Sequence, residues 1–263
     1  MTMACLFSHF VTATVLGTIL LSQCITTNSF SIQALTPSSR KYSNSLRLGN
    51  SANDDDVPKN ADSLFQSDGW KNIQNDLDRV PIFCCANEQG HPLAYSIDMG
   101  DGKAFTVPFF YCDVDDALEE LRKAKENTKL EQLDLIPFPL GKAFQMWAKD
   151  QAVIVPNKEA IVQAGAPPNT NPIGQQVPLF ACMEIMQQNE KGQDVLPLFM
   201  SLDAANDAVK QAVEMDGGKV EDLEVVSLSL QRAIELLATV PETPAFQFMA
   251  PPKSYTYIEE YLS

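Results

Sequence analysis

The chain has 263 residues, with 19 Lys and Arg against 34 Asp and Glu, which gives a formal net charge of −15. An acidic chain of this kind is a poor partner for nucleic acid, whose phosphates need clustered Lys and Arg, and for anionic lipid. An apolar content of 45% is too high for full disorder. The two histidines, His9 and His91, are too few for a His-rich zinc site.

The first 29 residues have the composition of a signal peptide. Residues 10–21 form an apolar run of about a dozen residues, which is too short to span a bilayer and is typical of a signal-peptide core. Small polar residues follow it and favour cleavage just before Phe30. The alternative is a membrane anchor, because the first nine residues carry no Lys or Arg.

Residues 30–53 have a second targeting composition. They are rich in Ser, contain Arg40, Lys41 and Arg47, and contain no acidic residue, which is typical of a transit peptide. A signal peptide joined to a transit peptide at an aromatic residue resembles the bipartite plastid presequence of algae with complex plastids. The alternative is a secreted protein with a disordered N-terminus.

The segment 54–79 is predicted to contain a linker and then an amphipathic helix. The acidic residues of the chain begin at Asp54, so all 34 of them share the remaining part with 16 basic residues. A polar run comes first and is typical of a solvated linker. Large apolar residues then recur at near-helical spacing, which predicts a helix over 62–79 that packs on the folded part. They are Phe65, Trp70, Ile73 and Leu77.

Residues 80–164 and 177–258 are predicted to be two copies of one unit. Five short motifs recur in the same order, and five collinear matches indicate an internal duplication. The pairs are Val80–Phe83 with Val177–Phe180, Val107–Phe110 with Leu196–Phe199, Asp113–Ala117 with Ser201–Ala205, Leu133–Phe144 with Leu223–Ile234, and Val155–Lys158 with Ala250–Lys253. Residues 165–176 are rich in turn-forming residues and are predicted to be a linker, and residues 259–263 are a tail.

Each half has the pattern β-β-α-β-α-β. In the first half, apolar runs that contain proline predict strands at 80–86 and 104–111, separated by a turn at Asn87–Gly90. Asp113 is placed to cap a helix whose apolar residues recur every three or four positions, and Ser201 is placed in the same way in the second half. A strand, a helix and a last strand follow at 133–138, 140–149 and 153–155, and again at 223–228, 230–238 and 246–249. We therefore expect an α+β protein with two pseudo-symmetric tandem halves, each a mixed or antiparallel sheet flanked by helices.

The reactive side chains do not form a recognisable catalytic or metal site. The chain has no Gly-rich phosphate loop, no Gly-x-Ser-x-Gly and no His-Glu-x-x-His. His91 falls in a predicted turn and is interpreted as a solvated side chain rather than a general base. The acidic residues at 113–116 are better explained by helix capping than by calcium binding.

The cysteines that remain after the leader are predicted to be buried free thiols. They are Cys84, Cys85, Cys112 and Cys182. Neighbouring Cys84 and Cys85 point to opposite faces if they lie in a strand. Two alternatives stay open, a disulfide and a symmetric thiol pair formed by Cys85 and Cys182, which occupy equivalent positions in the two halves.

Aromatic residues and Met lie on equivalent or adjacent elements of the two halves. Most of them must belong to the core, and any that are exposed would form an adaptable apolar surface for extended polypeptides. The predicted client-binding residues are Phe144, Trp147, Phe246, Phe248 and Met249.

The ordered motifs also resemble a known family. They are Val-Pro-x-Phe at the start of a half, Pro-Leu-Phe before a capped helix, Leu-Gly-Lys-Ala-Phe-Gln after a strand, and a later strand that ends in Pro, all in tandem. This set resembles the twenty-two-kilodalton subunit of the translocon at the inner envelope membrane of chloroplasts, over about residues 70–258. That family has Phe-x-Phe in the strand ending in Pro. The second half has it at Phe246 and Phe248, whereas the first half has Ala152-Val-Ile-Val155.

The resemblance implies a soluble protein of the plastid envelope intermembrane space, with a chaperone-like role in the import of preproteins. Its implied partners are unfolded preproteins, transit peptides, and outer and inner envelope translocon subunits, with no nucleic acid and no insertion of the mature protein into a membrane. No cofactor, metal or catalytic residue is implied. Two other functions remain open at this point, a thiol-dependent plastid enzyme and an inert structural subunit of an envelope complex.

Overall fold

The computed structural model describes residues 31–32, 61–98, 104–127, 132–189, 192–216, 220, 223–239 and 245–262. The strands are β1 (Ser31–Ile32), β2 (Pro81–Asn87), β3 (Ala94–Asp98), β4 (Ala104–Tyr111), β5 (Leu133–Pro139), β6 (Val153–Val155), β7 (Pro178–Cys182), β8 (Ile185–Gln188), β9 (Asp194–Phe199), β10 (Val225–Ser229) and β11 (Ala245–Met249). The helices are α1 (Ala61–Gln66), α2 (Asp68–Leu77), α3 (Val114–Asn127), α4 (Leu140–Trp147), α5 (Lys158–Gln163), α6 (Leu202–Asp216), α7 (Leu230–Thr239) and α8 (Pro252–Leu262). The predicted signal peptide and most of the predicted transit-type segment and linker lie outside the described residues.

Each half is built on one mixed sheet. In the first half β5, β2 and β4 pair antiparallel in that order, β3 forms a hairpin with β4, and β6 runs parallel to β4. In the second half β10, β7 and β9 pair in the same way, β8 pairs antiparallel with β9, and β11 runs parallel to β9. The short β1 pairs antiparallel with β8. The α+β class and the two similar halves are therefore confirmed.

Equivalent backbone hydrogen bonds recur in the two halves. The Leu140 amide donates to the Val80 carbonyl at 3.0 Å, and the Leu230 amide donates to the Val177 carbonyl at 2.8 Å. Both bonds fix the start of a helix against the residue that precedes the first strand of its half.

A turn of the same construction occurs in each half, but at different places: after β2 in the first half and between β8 and β9 in the second. The Asn87 side chain accepts from the amide of His91 at 3.0 Å, and the Asn189 side chain accepts from the amide of Gln193 at 3.0 Å. Each turn contains a glycine with positive φ, 74° at Gly90 and 71° at Gly192, where a Cβ atom would be strained. The shared Asn-Glu-x-Gly sequence therefore specifies the local geometry of the turn, although the two turns join different pairs of strands.

One apolar layer is shared by the two halves. It is formed by the inner faces of both sheets together with α2, α4 and α7, and it contains Trp70, Ile82, Phe110, Phe144, Leu179 and Ile234. The outer face of the first sheet is covered by α3, and the outer face of the second sheet by α6. The two sheets therefore bury both faces, as the continuous burial of β2 and β7 shows.

The last helix of each half packs on the other half. Ile258 of α8 lies in the outer cluster of the first sheet, and the ring of Tyr257 meets Phe83 edge-on at 5.5 Å. Ala160 of α5 lies in the outer cluster of the second sheet with Phe180 and Phe199. This exchange of helices ties the halves into one unit and is visible only in the tertiary structure.

Each half contains two elements more than the predicted series. The strands β3 and β8 and the helices α5 and α8 were not predicted from the pattern. The helix predicted over 62–79 is divided at Ser67, whose side chain accepts from the Trp70 amide at 3.0 Å and so caps α2. Capping by a serine oxygen satisfies an amide that a continuous helix would satisfy with a carbonyl.

Candidate functional site

The five aromatic and Met residues predicted to bind clients differ in exposure. Phe144 and Phe248 are buried in the shared layer, with 1% and 5% of their surface accessible. Trp147 and Phe246 are half-buried at its edges, and Met249 is half-buried beside the outer cluster on the opposite face of the second sheet. Because the first two have almost no accessible surface, they support this region through packing, and the half-buried three are the ones that remain available for direct contact.

An aromatic cluster lies where the N-terminal helices meet α4. Trp70 stacks on Phe144 at 5.9 Å between ring centroids and meets Phe65 edge-on at 4.8 Å. Phe144 in turn contacts Trp147 at 5.3 Å. The chain of contacts runs from the buried face of α2 to the surface beside Trp147, so packing at Trp70 positions the more exposed aromatic ring.

A cleft of about 320 Å³ opens next to this cluster, at the junction of the two halves. Its apolar walls come from α4, from the approach to β6 and β6 itself, and from the start of β7 and α7, with the linker 173–176 along one side. The apolar lining residues are Phe144, Trp147, Ala152, Val153, Ile154, Ile173, Val177 and Leu230. The cleft has the size and lining of a site for apolar groups.

The polar lining of the cleft is sparse. Among the described residues that line it, Asp150 carries a charge, and the remaining polar side chains are those of Gln175, Gln176 and Gln231. Ile173 stands at the mouth with 43% of its surface exposed. Ile173 is not among the residues predicted from the sequence, although a large apolar side chain in a polar, turn-rich linker is a usable signal of a contact.

The four described cysteines are free and buried. Burial raises the pKa of Cys84 to about 12, and burial raises the pKa of Cys85 and of Cys182 to about 11. Burial also raises the pKa of Cys112. Cys85 and Cys182 lie in separate clusters on the outer faces of the two sheets, so the two residues do not form a symmetric pair near the pseudo-axis.

We expect these four thiols to react at least about a hundredfold more slowly with iodoacetamide at neutral pH than a free cysteine, because the thiolate is the nucleophile and burial disfavours it. Mass-spectrometric peptide mapping of the native and the urea-unfolded chain measures the rate at each site. Rapid native labelling of Cys85 or Cys182 would contradict the prediction and would favour thiol chemistry.

The other candidate side chains have local structural partners. His91 is exposed in the turn after β2. Asp113 caps α3 by accepting from the amides of Asp115 and Asp116 at 2.9 and 3.1 Å. Asp116 accepts from Asn157 at 3.2 Å and so ties α5 to α3. Over the described residues no group of three or more His, Cys, Asp or Glu side chains could hold a metal ion.

The fold and the cleft define a duplicated α+β protein with an apolar groove between its halves. Comparison of sequences found no matching family model and no matching curated protein. Within the described residues, no helix has the length and apolar character needed to cross a membrane.

Two solved structures share the fold. Tic22 from Plasmodium falciparum matches 72% of this chain and 97% of its own, with a TM-score of 0.57 and 18% identity. Anabaena Tic22, a protein described as acting in protein transport, matches 73% of this chain and 96% of its own, with a TM-score of 0.55 and 21% identity. The chain thus has the Tic22 fold, which confirms the resemblance inferred from the motifs at the level of architecture.

Proposed function

We propose that the protein is a plastid protein-import component that binds preproteins in transit, without enzymatic activity. The observation that carries the proposal is the apolar cleft between two halves that together have the fold of Tic22 proteins, one of which is described as acting in protein transport. A preprotein that crosses a membrane is unfolded and exposes apolar side chains. An apolar cleft with the half-buried ring of Trp147 in its wall provides a partner for them.

We propose further that the protein acts in the plastid envelope intermembrane space, which it reaches by a bipartite presequence. This proposal rests on the composition of residues 1–53, where an apolar run is followed by a Ser-rich, cationic, acid-free segment. The partners we propose are unfolded preproteins, transit peptides, and outer and inner envelope translocon subunits.

The charge of the chain supports transit peptides as clients. A net charge of −15 creates a long-range field that attracts cationic segments, and salt screens this field with a length of about 8 Å at physiological ionic strength. The apolar contacts in the cleft are not weakened in this way.

We expect the protein to suppress aggregation of a chemically unfolded plastid preprotein without ATP, measured by light scattering at increasing molar excess. The suppression should weaken when salt is raised from about 50 to 500 mM, because the steering of cationic clients is screened. Failure to suppress aggregation at a large excess would contradict the client-binding proposal. Suppression that does not depend on salt would contradict its electrostatic part alone.

A further inference from the structure

The cleft between the halves is the pseudo-symmetric counterpart of a groove that α2 fills. Helix α2 packs against α7, α4 and β11. The cleft is lined by α4, by β6 and the residue before it, and by the start of α7. Because α4 in the first half is equivalent to α7 in the second, and β6 to β11, both sites are built from the same elements with the halves exchanged.

The residues where α2 ends in the filled groove correspond one by one to residues that line the cleft. Val80 and Val177 make equivalent hydrogen bonds, and this equivalence pairs Asp78 with Gln175. In the filled groove a Cβ atom added at Gly141 would meet the Asp78 carboxylate at 2.5 Å. In the cleft, Gln175 and Gln231, which is the counterpart of Gly141, both line the wall. The linker therefore lines the cleft at the position that corresponds to the end of α2 in the filled groove.

The linker leaves the cleft open because it does not repeat the helix. The apolar face of α2 consists of Trp70, Ile73 and Leu77, all buried. Their counterparts in the linker are Pro167, Thr170 and Gly174. Proline and glycine disfavour a helix, and positive φ values of 106° at Gly165 and 65° at Asn169 show that the chain turns here instead.

We propose that the cleft binds one amphipathic helix of a client polypeptide, which docks as α2 docks in the equivalent groove. This inference rests on the proposed function and names its ligand class. The helix presents large apolar side chains at positions i, i+3 and i+7, the spacing of Trp70, Ile73 and Leu77. Its polar face is basic, because Asp150 is the charged side chain of the cleft lining and the chain as a whole is acidic.

The probe is a synthetic peptide with the sequence of residues 67–79 in which Asp68, Asp76 and Asp78 are replaced by Lys. A lactam bridge between Lys71 and an Asn75→Asp position, both on the exposed face, keeps this short peptide helical. Benzoylphenylalanine at the Trp70 position allows photo-crosslinking to the full chain. The matched control peptide carries Ser at all three apolar positions.

We expect saturable binding of the probe, at least tenfold weaker binding of the control peptide, and crosslinks to Trp147, Val153 or Ile173. The Ile173→Asp variant places a carboxylate at the exposed mouth of the cleft and should lower probe affinity at least about tenfold without unfolding the protein. The matched Met183→Asp variant changes a side chain that is 51% exposed and lies outside the cleft, so its affinity should not change.

Crosslinks that map to Ala238, which lies against Gly69 in the filled groove, would overturn the proposal, because they would show the probe exchanging with α2. An equal gain of affinity in the two Asp variants would also overturn it, since the added carboxylates would then attract the basic probe through net charge and not through the cleft. If the protein suppresses client aggregation but the probe does not crosslink in the cleft, this inference fails alone. If the probe binds in the cleft but aggregation is not suppressed, the proposed function fails and the helix site remains.

Discussion

Replacement of Trp70 by Ala is expected to lower the free energy of unfolding by about 3–5 kcal/mol, the usual cost of removing a fully buried large aromatic side chain. Trp70 has 1% of its surface exposed and lies between Phe65 and Phe144. Its loss removes the stacked contacts and leaves a cavity between α2 and α4. Urea unfolding followed by circular dichroism measures the change.

The Trp70→Phe variant is the matched control. Within the described part of the chain the indole Nε1–H of Trp70 has no hydrogen-bond partner, so Phe removes a buried, unpaired donor while keeping an aromatic ring. Removal of that donor offsets part of the cavity cost, and we expect a loss of about 1 kcal/mol. A loss of stability that is equal in the two variants would contradict the packing argument.

Replacement of Gly69 by Ala is expected to destabilise the protein by about 1–3 kcal/mol, although alanine favours an isolated helix by about 1 kcal/mol. A Cβ atom at position 69 would lie 2.6 Å from Cα and 2.8 Å from the carbonyl carbon of Ala238. Both are backbone atoms of α7, so neither can rotate away. The helices α2 and α7 must therefore separate, and this cost outweighs the gain in helix propensity.

Two measurements separate the opposing effects of Gly69→Ala. A peptide of residues 61–79 should gain helix content with the change, while the whole protein should lose stability in urea. Lys71→Ala, on the exposed face of the same helix, removes only a surface ion pair with Asp68 and should change stability by less than about 0.5 kcal/mol. A Gly69→Ala protein that is more stable than the parent would show that α2 does not pack closely on α7.

The consequences for function follow from the position of the aromatic cluster. Trp70 stacks on Phe144, and Phe144 contacts Trp147 in the cleft wall. A variant at Trp70 thus changes both the stability of the filled groove and the shape of the open cleft beside it. The two grooves share α4 and α7, which makes the proposed binding surface part of the core that holds the halves together.

Several features of the structure were predictable because short-range patterns specify them. The repeat of Val80 at Val177 appears as equivalent hydrogen bonds, and Asp113 caps a helix as its position indicates. Cys84 and Cys85 point to opposite faces of β2, one into the shared layer and one into the outer cluster, as strand alternation requires. Each of these predictions depends on residues a few positions apart or on the repeat of such a short run.

Other features of the structure could not be predicted from short-range sequence patterns. The strands β3 and β8 have five and four residues, and β8 does not alternate apolar and polar side chains. Patterns this short do not identify a strand, so pairing with β4 and β9 specifies them. The helices α5 and α8 follow proline and have their apolar residues covered by the opposite half. The burial of Phe144 likewise depends on Trp70, which is distant in sequence.

The duplication, the order of most strands and helices, the caps and the acidic charge can be inferred from the sequence, because each depends on neighbouring residues or on a repeat of them. The burial of particular aromatic rings, the exchange of the last helices, and the filling of one of two equivalent grooves are visible only in the folded chain. Burial depends on a surface and on the element that covers it, and the covering elements here come from distant parts of the chain.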